Sequence, residues 1–180
     1  MIVTIAGTPG SGKSSAAKGV AKRLGYEHFS VGDLMRKIAQ ERGVSLLEIS
    51  KIAETDPEID RRLDTMQQEL GARDSIVFDS RLGYHFIPHS FKVFLRISPE
   101  VAAQRIFGSG RAQETENVTI EATAQNIRQR AQSERRRYRK YYGIDPYDES
   151  KYDLIIDTTD TTPDEVVERI LAALPEGANK

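Results

Sequence analysis

Cysteine is absent from the 180-residue chain, and long apolar runs are absent as well. Without cysteine there can be no disulfide, no thiolate zinc site and no cysteine nucleophile, which fits a reducing interior. No segment approaches the roughly 18 apolar residues of a membrane span. The N-terminus lacks the basic start and the long apolar stretch of a secretory signal. We therefore expect a cytoplasmic protein that has no contact with a membrane.

An excess of positive charge is also missing. Lys and Arg number 26 against 27 for Asp and Glu, so the formal net charge is −1. Domains that are dedicated to nucleic-acid binding are usually basic, so we expect no stable nucleic-acid partner. The length lies within the roughly 100–200 residues of a typical domain and predicts one domain over 1–180. We expect it to be a monomer.

Short apolar runs alternate with helical patterns along the chain. The predicted strands are Ile2–Ala6, Tyr26–Ser30, Ser75–Asp79, Lys92–Ile97 and Tyr152–Asp157. Near-continuous apolar runs of this kind suit the middle of a parallel sheet. Their alternation with helices predicts an α/β fold with a parallel sheet and right-handed crossovers.

Capping signals indicate where the helices begin and end. The predicted helices cover Lys13–Leu24, Ser45 to about Glu54, Asp56 to about Leu70, Ile120–Tyr142 and Pro163–Leu174, and a further helix begins at Ser98. Gly71 and Gly143 are expected to end their helices, because glycine readily adopts the left-handed conformation of a helix C-cap.

A glycine-rich loop is the most specific motif. Gly7-Thr8-Pro9-Gly10-Ser11-Gly12-Lys13-Ser14 matches G-x-x-x-x-G-K-[ST] at every fixed position, between a predicted strand and a predicted helix. Its glycines let backbone N–H groups point at phosphate oxygens, and the helix N-terminus adds partial positive charge. We expect Lys13 to contact the β- and γ-phosphates of a nucleoside triphosphate, and Ser14 to ligate Mg²⁺. Ser15 is included in the same ATP site.

The loop indicates a nucleoside triphosphate without indicating a reaction. No guanine-reading Asn-Lys-x-Asp sequence is present. A motor or AAA-type ATPase would need a longer chain, so small-molecule kinases are the leading class. Phosphoryl transfer depends on neutralising charge, which makes arginines near strand ends the residues to look for.

Two of these arginines follow predicted strands. Arg36 follows Ser30 and Asp33, either of which could begin a helix, and it could hold an acceptor phosphate or remain a solvated surface arginine. Arg81 lies just beyond Asp79, at a strand end where open α/β sheets bind ligands. There Arg81 could grip the acceptor phosphate. Asp79 could hold Mg²⁺ through water or simply cap a turn.

The long predicted helix and the segment before it carry further candidates. Arg130, Glu134 and Arg137 fall at i, i+4 and i+7 and so share a face that could contact phosphate. The remaining basic residues of this helix could form a solvated face or attract nucleic acid weakly. The polar segment Gly108–Val118 is interpreted either as a surface loop or as a mobile lid.

Together these residues resemble the nucleoside monophosphate kinases, and among them the archaeal-type cytidylate kinases. The resemblance covers nearly the whole chain. It rests on Gly7–Ser14, Ser30–Asp33 with Arg36, Glu41–Leu46, Asp56–Asp60, Asp79–Leu82, Ser133–Tyr138 and Tyr142–Asp145.

This resemblance implies a P-loop kinase fold: a five-stranded parallel sheet flanked by helices, an acceptor-binding helical region at about 31–72 and a lid at about 108–130. It implies transfer of the ATP γ-phosphate to CMP or dCMP with Mg²⁺ as cofactor. Lys13, Arg81 and Arg130 would be catalytic, and Ser14 and Asp79 would be metal ligands. Arg105 and Arg111 would be lid-side arginines near the donor ATP, and Arg105 is included in the ATP site. The acceptor would be bound by Ser30, Gly32, Asp33, Arg36, Arg81, Arg130, Glu134 and Arg137.

The base preference stays open at this point. Bacterial relatives have an acid after the arginine of the strand-end motif, where this chain has Leu82. Archaeal-type relatives tend to have Glu before that arginine or Gly after it, where this chain has Asp79-Ser80. An adenylate or shikimate kinase and an ATP-binding, RNA-associated NTPase are the alternatives. A panel of acceptors separates the kinases, and salt-dependent RNA binding would indicate the NTPase.

Overall fold

Five parallel strands form the sheet of the computed structural model, which describes residues 1–109 and 116–175. The strands are β1 (Ile2–Gly7), β2 (Glu27–Ser30), β3 (Ile76–Asp79), β4 (Phe91–Arg96) and β5 (Leu154–Asp157). Their order across the sheet is β2-β3-β1-β4-β5. Ile5 of β1 lies opposite Asp79 of β3, so the loop after β1 and the end of β3 meet at one edge. The predicted α/β class and five-stranded parallel sheet are confirmed.

Helices connect the strands. They are α1 (Lys13–Leu24), α2 (Val31–Glu41), α3 (Leu46–Ile52), α4 (Pro57–Gly71), α5 (Gly83–Phe86), α6 (Pro99–Gly108), α7 (Ile120–Tyr142) and α8 (Pro163–Ala173), with a 3₁₀ turn at Glu149–Lys151. The capping boxes that Ser45 and Thr162 predict are both formed. Ser30 caps α2 by accepting from the Asp33 N–H. Within the part of the chain that the structure describes, no helix is both long and apolar enough to cross a membrane.

Gly71 does not end α4 in the predicted way. It is the last helical residue, and Ala72 follows in a right-handed helical conformation. Glycine is needed there for space, because a Cβ would lie 2.9 Å from Cγ1 of Ile87. The prediction for Gly143 is correct, since it caps α7 in the left-handed region with φ 71°.

Apolar residues are buried on both faces of the sheet, and a separate core lies among the helices after β2. Val3 and Ile5 pack with α1 and α8 on one face, while Ile2 packs with Phe78 on the other. The separate core joins α2, α3 and α4; its buried residues are Met35, Ile38, Ala39, Leu46, Ile49, Ala53, Ile59 and Leu63. Because both sheet faces are covered, the strands appear in the sequence as continuous apolar runs.

Candidate active site

A cavity of about 370 Å³ opens where the loop after β1 faces the helical core of α2, α3 and α4. Residues predicted in every part of the site contribute to its wall: Pro9, Gly10, Ser11, Gly12, Lys13, Ser14, Ser15, Gly32, Arg36, Asp79, Arg81, Arg105, Arg130, Glu134 and Arg137. Four predicted residues do not line the cavity, but each is within two positions in the chain of a residue that does: Gly7, Thr8, Ser30 and Asp33. Arg111 and the middle of the predicted lid lie outside the described residues.

Glycine shapes the phosphate loop through both conformation and close approach. Gly7, Gly10 and Gly12 have φ values of 146°, 83° and 82°, which strain other residues. A Cβ on Gly7 would lie 2.0 Å from the carbonyl oxygen of Leu95. The Thr8 N–H donates to that same carbonyl at 3.1 Å, which ties the loop to β4. The loop leads directly into the N-terminus of α1, with Gly12 as the N-cap, and the dipole of a helix attracts anions at that end.

Lys13 begins α1 and folds back over this loop. Its Nζ donates to the carbonyl of Thr8 at 3.0 Å. Burial and the nearby charge of Arg81 lower the pKa of Lys13 to about 7. Arg130 lowers this pKa as well, whereas Asp79 and Glu134 raise it. A bound phosphate would offset both the burial and the nearby positive charges by stabilising the charged lysine.

Asp79 joins the phosphate loop to β2 and β3. Its Oδ2 accepts a hydrogen bond from Ser14 Oγ at 2.5 Å and another from Ser30 Oγ at 3.1 Å. The carboxylate is 5% exposed. Hydroxyl and carboxylate oxygens are ligands of the kind that Mg²⁺ takes, so Ser14 and Asp79 fit the predicted ion. Among the described residues, no cluster of three or more His, Asp or Glu side chains could hold a metal by itself.

A buried charge cluster connects the end of β3 with α7. Arg81 Nε and the Tyr147 hydroxyl both donate to Glu134 Oε2, each at 2.5 Å. Burial alone would raise the pKa of Glu134, but the charges of Arg81 and Arg130 outweigh burial and lower that pKa to about 2. Glu134 is therefore a fixed anion that orients Arg81 beside the cavity.

Arg137 is located deeper than the predicted phosphate-facing surface. Its side chain is 3% exposed, and its Nε lies 3.0 Å from Oδ2 of Asp60 on α4. Its other guanidinium nitrogens donate to the Tyr138 hydroxyl at 2.9 Å and to the Ser50 carbonyl at 3.4 Å. Arg137 thus fixes α7 against α3 and α4 at the inner end of the cavity.

Arg36 and Arg105 border the cavity from opposite sides. Arg36 forms an ion pair with Asp33 on α2, and its guanidinium lies over Gly32 at the start of that helix. Arg105 donates to the Thr158 and Thr159 carbonyls at 2.9 and 3.2 Å, after β5. Arg36 is therefore on the side of the helical core, and Arg105 is near the phosphate loop.

The outer basic residues of α7 are engaged within the protein. Arg135 and Arg139 pair with Asp145, and Arg136 pairs with Glu54. Lys140 donates to the backbone carbonyl of Glu54 at 2.9 Å. The outer basic side chains of α7 are thus paired with carboxylate and carbonyl oxygens of the protein itself.

Comparison with known proteins agrees with this geometry. A model of the cytidylate kinase-like family matches residues 2–160. A curated cytidylate kinase from Methanothrix thermoacetophila is 44% identical over 158 residues, which are 88% of each chain. The chain belongs to the cytidylate kinase-like family. Another curated cytidylate kinase, from Natronomonas pharaonis, is 43% identical over 169 residues, covering 92% of this chain and 85% of that protein.

Solved structures support the fold of this family member. The crystal structure of a shikimate kinase from Bacteroides thetaiotaomicron aligns with a TM-score of 0.67 over 97% of this chain and 99% of that one. Its sequence identity is 14%, so the likeness concerns the fold alone. The P-loop kinase fold expected from the resemblance is confirmed.

Several residues of the cavity wall were not predicted from the sequence of this family member. Leu82, which directly follows Arg81, is 3% exposed and offers no polar group. Asp60, Asp64 and Gln67 of α4 line the cavity instead. Their i, i+4 and i+7 spacing puts them on one helix face, a pattern that could have drawn attention to them.

Proposed function

We propose that this chain transfers the γ-phosphate of ATP to CMP or dCMP, giving ADP and CDP or dCDP. The observation that carries the proposal is that one cavity joins the phosphate loop to Arg36, Arg81 and Arg130. Two phosphate-binding surfaces that face one space suit a donor and an acceptor that are both phosphates. Membership of the cytidylate kinase-like family supports cytidine nucleotides as the acceptor.

ATP would be bound on the loop side. The loop N–H groups and Lys13 would hold the β- and γ-phosphates, with Arg105 near the nucleotide. Ser14 and Asp79 would hold Mg²⁺, which when bound offsets negative charge on the phosphates. The hydrogen bond between Ser14 and Asp79 already brings their oxygens together.

The acceptor phosphate would be bound by Arg36, Arg81 and Arg130. An oxygen of this phosphate forms a bond to the γ-phosphorus while the bond to the oxygen bridging the β- and γ-phosphates breaks, which leaves ADP. The acceptor is already an anion, so no side chain has to remove a proton. Lys13 and the arginines neutralise charge on the transferring group, the main contribution a protein makes to this reaction.

The remaining predicted residues would position this machinery. Ser30 caps α2 and bonds Asp79, while Asp33 pairs with Arg36. Glu134 orients Arg81 from beneath. On the acceptor side, two carboxylates would therefore set the positions of two arginines. Asp33 holds Arg36, and Glu134 holds Arg81.

The test is ADP formation from ATP and Mg²⁺ with CMP, dCMP, UMP, AMP, GMP, shikimate and no acceptor. We expect high rates with CMP and dCMP. Lys13→Ala should lower the rate by at least about 10²-fold, since a single donor to developing charge is worth that much. Lys18→Ala is the matched control, because Lys18 is exposed on α1. ATP hydrolysis that no acceptor changes, or normal activity in Lys13→Ala, would contradict the proposal.

A further inference from the structure

The two ends of the cavity differ in charge. At the end near the phosphate loop, three cations, Lys13, Arg81 and Arg130, outnumber the two carboxylates, those of Asp79 and Glu134. The end formed by α4 presents carboxyl and amide groups, from Asp60, Asp64 and Gln67. A nucleotide whose phosphate lies at the cationic end would therefore direct its base toward α4. This step rests on the proposed function.

The spacing of two arginines along α7 suits that orientation. Arg130 and Arg137 are separated by seven residues of α7, which is about 10 Å along a helix. Asp60 lies at the Arg137 end, 3.0 Å from that guanidinium. Such a separation is comparable with the distance from the phosphate of a nucleoside monophosphate to the far edge of its base.

The carboxylate of Asp60 is buried without an aligned hydrogen bond. Asp60 is 3% exposed. Although Arg137 Nε is near, neither that nitrogen nor Asp60 Oδ2 makes a hydrogen bond within the part of the chain that the structure describes. Arg137 compensates the charge of this carboxylate, but the pair is not an aligned hydrogen bond. Because buried polar atoms in native proteins nearly always have a hydrogen-bond partner, the Asp60 carboxylate has hydrogen-bonding capacity left for a ligand group.

The other carboxylates around the cavity are already engaged. Asp64 Oδ2 accepts from the Tyr142 hydroxyl at 2.5 Å. Glu134 accepts from Arg81 and Tyr147, and Asp79 accepts from two serines. Of the two carboxylates at the α4 end, Asp60 is therefore the one that accepts no side-chain hydrogen bond at its buried Oδ2 within the described residues.

We propose that Asp60 selects the base of the acceptor by accepting a hydrogen bond from the 4-amino group of cytosine. An ionised carboxylate only accepts hydrogen bonds. Cytosine offers a hydrogen-bond donor at position 4. Uracil has a carbonyl oxygen there, so that oxygen and the carboxylate oxygen, both acceptors, would repel each other. Burial raises the pKa of Asp60 to about 6 against the opposing charge of Arg137, so the carboxylate is ionised above that pH.

The experiment compares kcat/KM for CMP, dCMP and UMP in the wild type, Asp60→Asn and Asp64→Asn. Sites that read a polar group by hydrogen bonding discriminate strongly against analogues that lack it. Asp60→Asn has an N–H that can donate to uracil, so the ratio of CMP to UMP should fall at least about tenfold. Asp64→Asn is the matched control on the same helix face, and its ratio should change less than about threefold.

A second readout uses the wild type and does not depend on the stability of the variant. The monophosphate of pyrimidin-2-one ribonucleoside lacks only the 4-amino group of CMP. We expect it to be a substrate poorer than CMP by at least about tenfold in the wild type, and nearly equal to CMP in Asp60→Asn.

The outcomes separate this inference from the proposed function. If CMP is not phosphorylated at all, the proposed function fails. If CMP is phosphorylated but Asp60→Asn keeps the wild-type ratio of CMP to UMP, the assignment of Asp60 is wrong. A change in the ratio of CMP to dCMP alone would overturn it too, because it would place Asp60 at the ribose hydroxyls.

Discussion

Lys13 shows how one residue is set for its ligand before the ligand arrives. Its pKa of about 7 results from burial first and from the charge of Arg81 second. Between pH 7 and the ordinary lysine value, the unfolded chain binds more protons than the folded one. Stability of the nucleotide-free protein should therefore rise with pH across this window. Phosphate at the loop should reverse the effect by favouring the charged amine.

We accordingly predict that ATP binding near pH 8 takes up a proton at Lys13. Calorimetric titrations with ATP in buffers of different ionisation enthalpy measure the uptake directly. It should approach one proton per site in the wild type and disappear in Lys13→Ala. Equal binding enthalpies in all buffers at pH 8 would show that the lysine is charged before ATP binds.

The packing of α1 against α8 depends on a glycine in the middle of a helix. A Cβ on Gly19 would lie 2.6 Å from Cγ2 of Val167, a stiff β-branched side chain. Glycine here lowers helix propensity by about 1 kcal/mol relative to alanine, so the close approach must outweigh that cost. The two helices cover the face of the sheet beneath the phosphate loop.

Gly19→Ala should lower the free energy of unfolding by about 1–2 kcal/mol, because overpacking costs more than the propensity gained. In the double variant with Val167→Ala, the loss should be smaller than the sum of the two single losses by at least about 0.5 kcal/mol. Urea denaturation of the four proteins measures this coupling. If the two losses in the free energy of unfolding are additive, the contact between Gly19 and Val167 does not limit how closely the helices pack.

Glu134 connects β3, α7 and the segment that carries Tyr147. Removing one charge of a buried ion pair leaves the other uncompensated, so Glu134→Gln should reduce stability by about 3 kcal/mol. Since its folded pKa of about 2 lies below the usual glutamate value, its contribution is complete at neutral pH and is lost as the pH falls toward 2. Thermal unfolding at pH 7 and pH 3 tests both statements. Glu121→Gln, at an exposed position of α7, is the control and should change little.

Elements with local signals could be predicted from the sequence, and those that depend on distant contacts could not. The capping box at Thr162 and the phosphate loop are each determined by a few consecutive residues, so the sequence alone predicts them. The short helix α5 depends on Gly83 lying against Thr4, where a Cβ would be 2.8 Å from the threonine Cβ. In the same way the sequence places Arg137 on a helix face with Arg130 and Glu134, but its ion pair with Asp60 depends on a residue far away in the chain.

At the scale of the whole molecule, the cavity lies between two apolar cores. One core joins α1 and α8 to the sheet, and the other joins α2, α3 and α4. Residues from both cores line the cavity, among them Ala16 and Leu63. Cooperative units of this kind often open separately, so each ligand should stabilise the core that it contacts most.

CMP should therefore protect the helical core more than it protects the sheet. At a CMP concentration of about 100 times its Kd, binding stabilises the folded state by about 2.7 kcal/mol. Amide hydrogens that exchange only when the protein opens far enough to release CMP should therefore exchange up to about 100-fold more slowly. Hydrogen exchange measured by mass spectrometry should show this slowing in α2, α3 and α4, while ATP alone should act mainly on the phosphate loop and α1. Shikimate should protect neither. Equal protection of both cores by CMP alone would mean that they open as one unit, and the acceptor side would then have no independent motion to restrain.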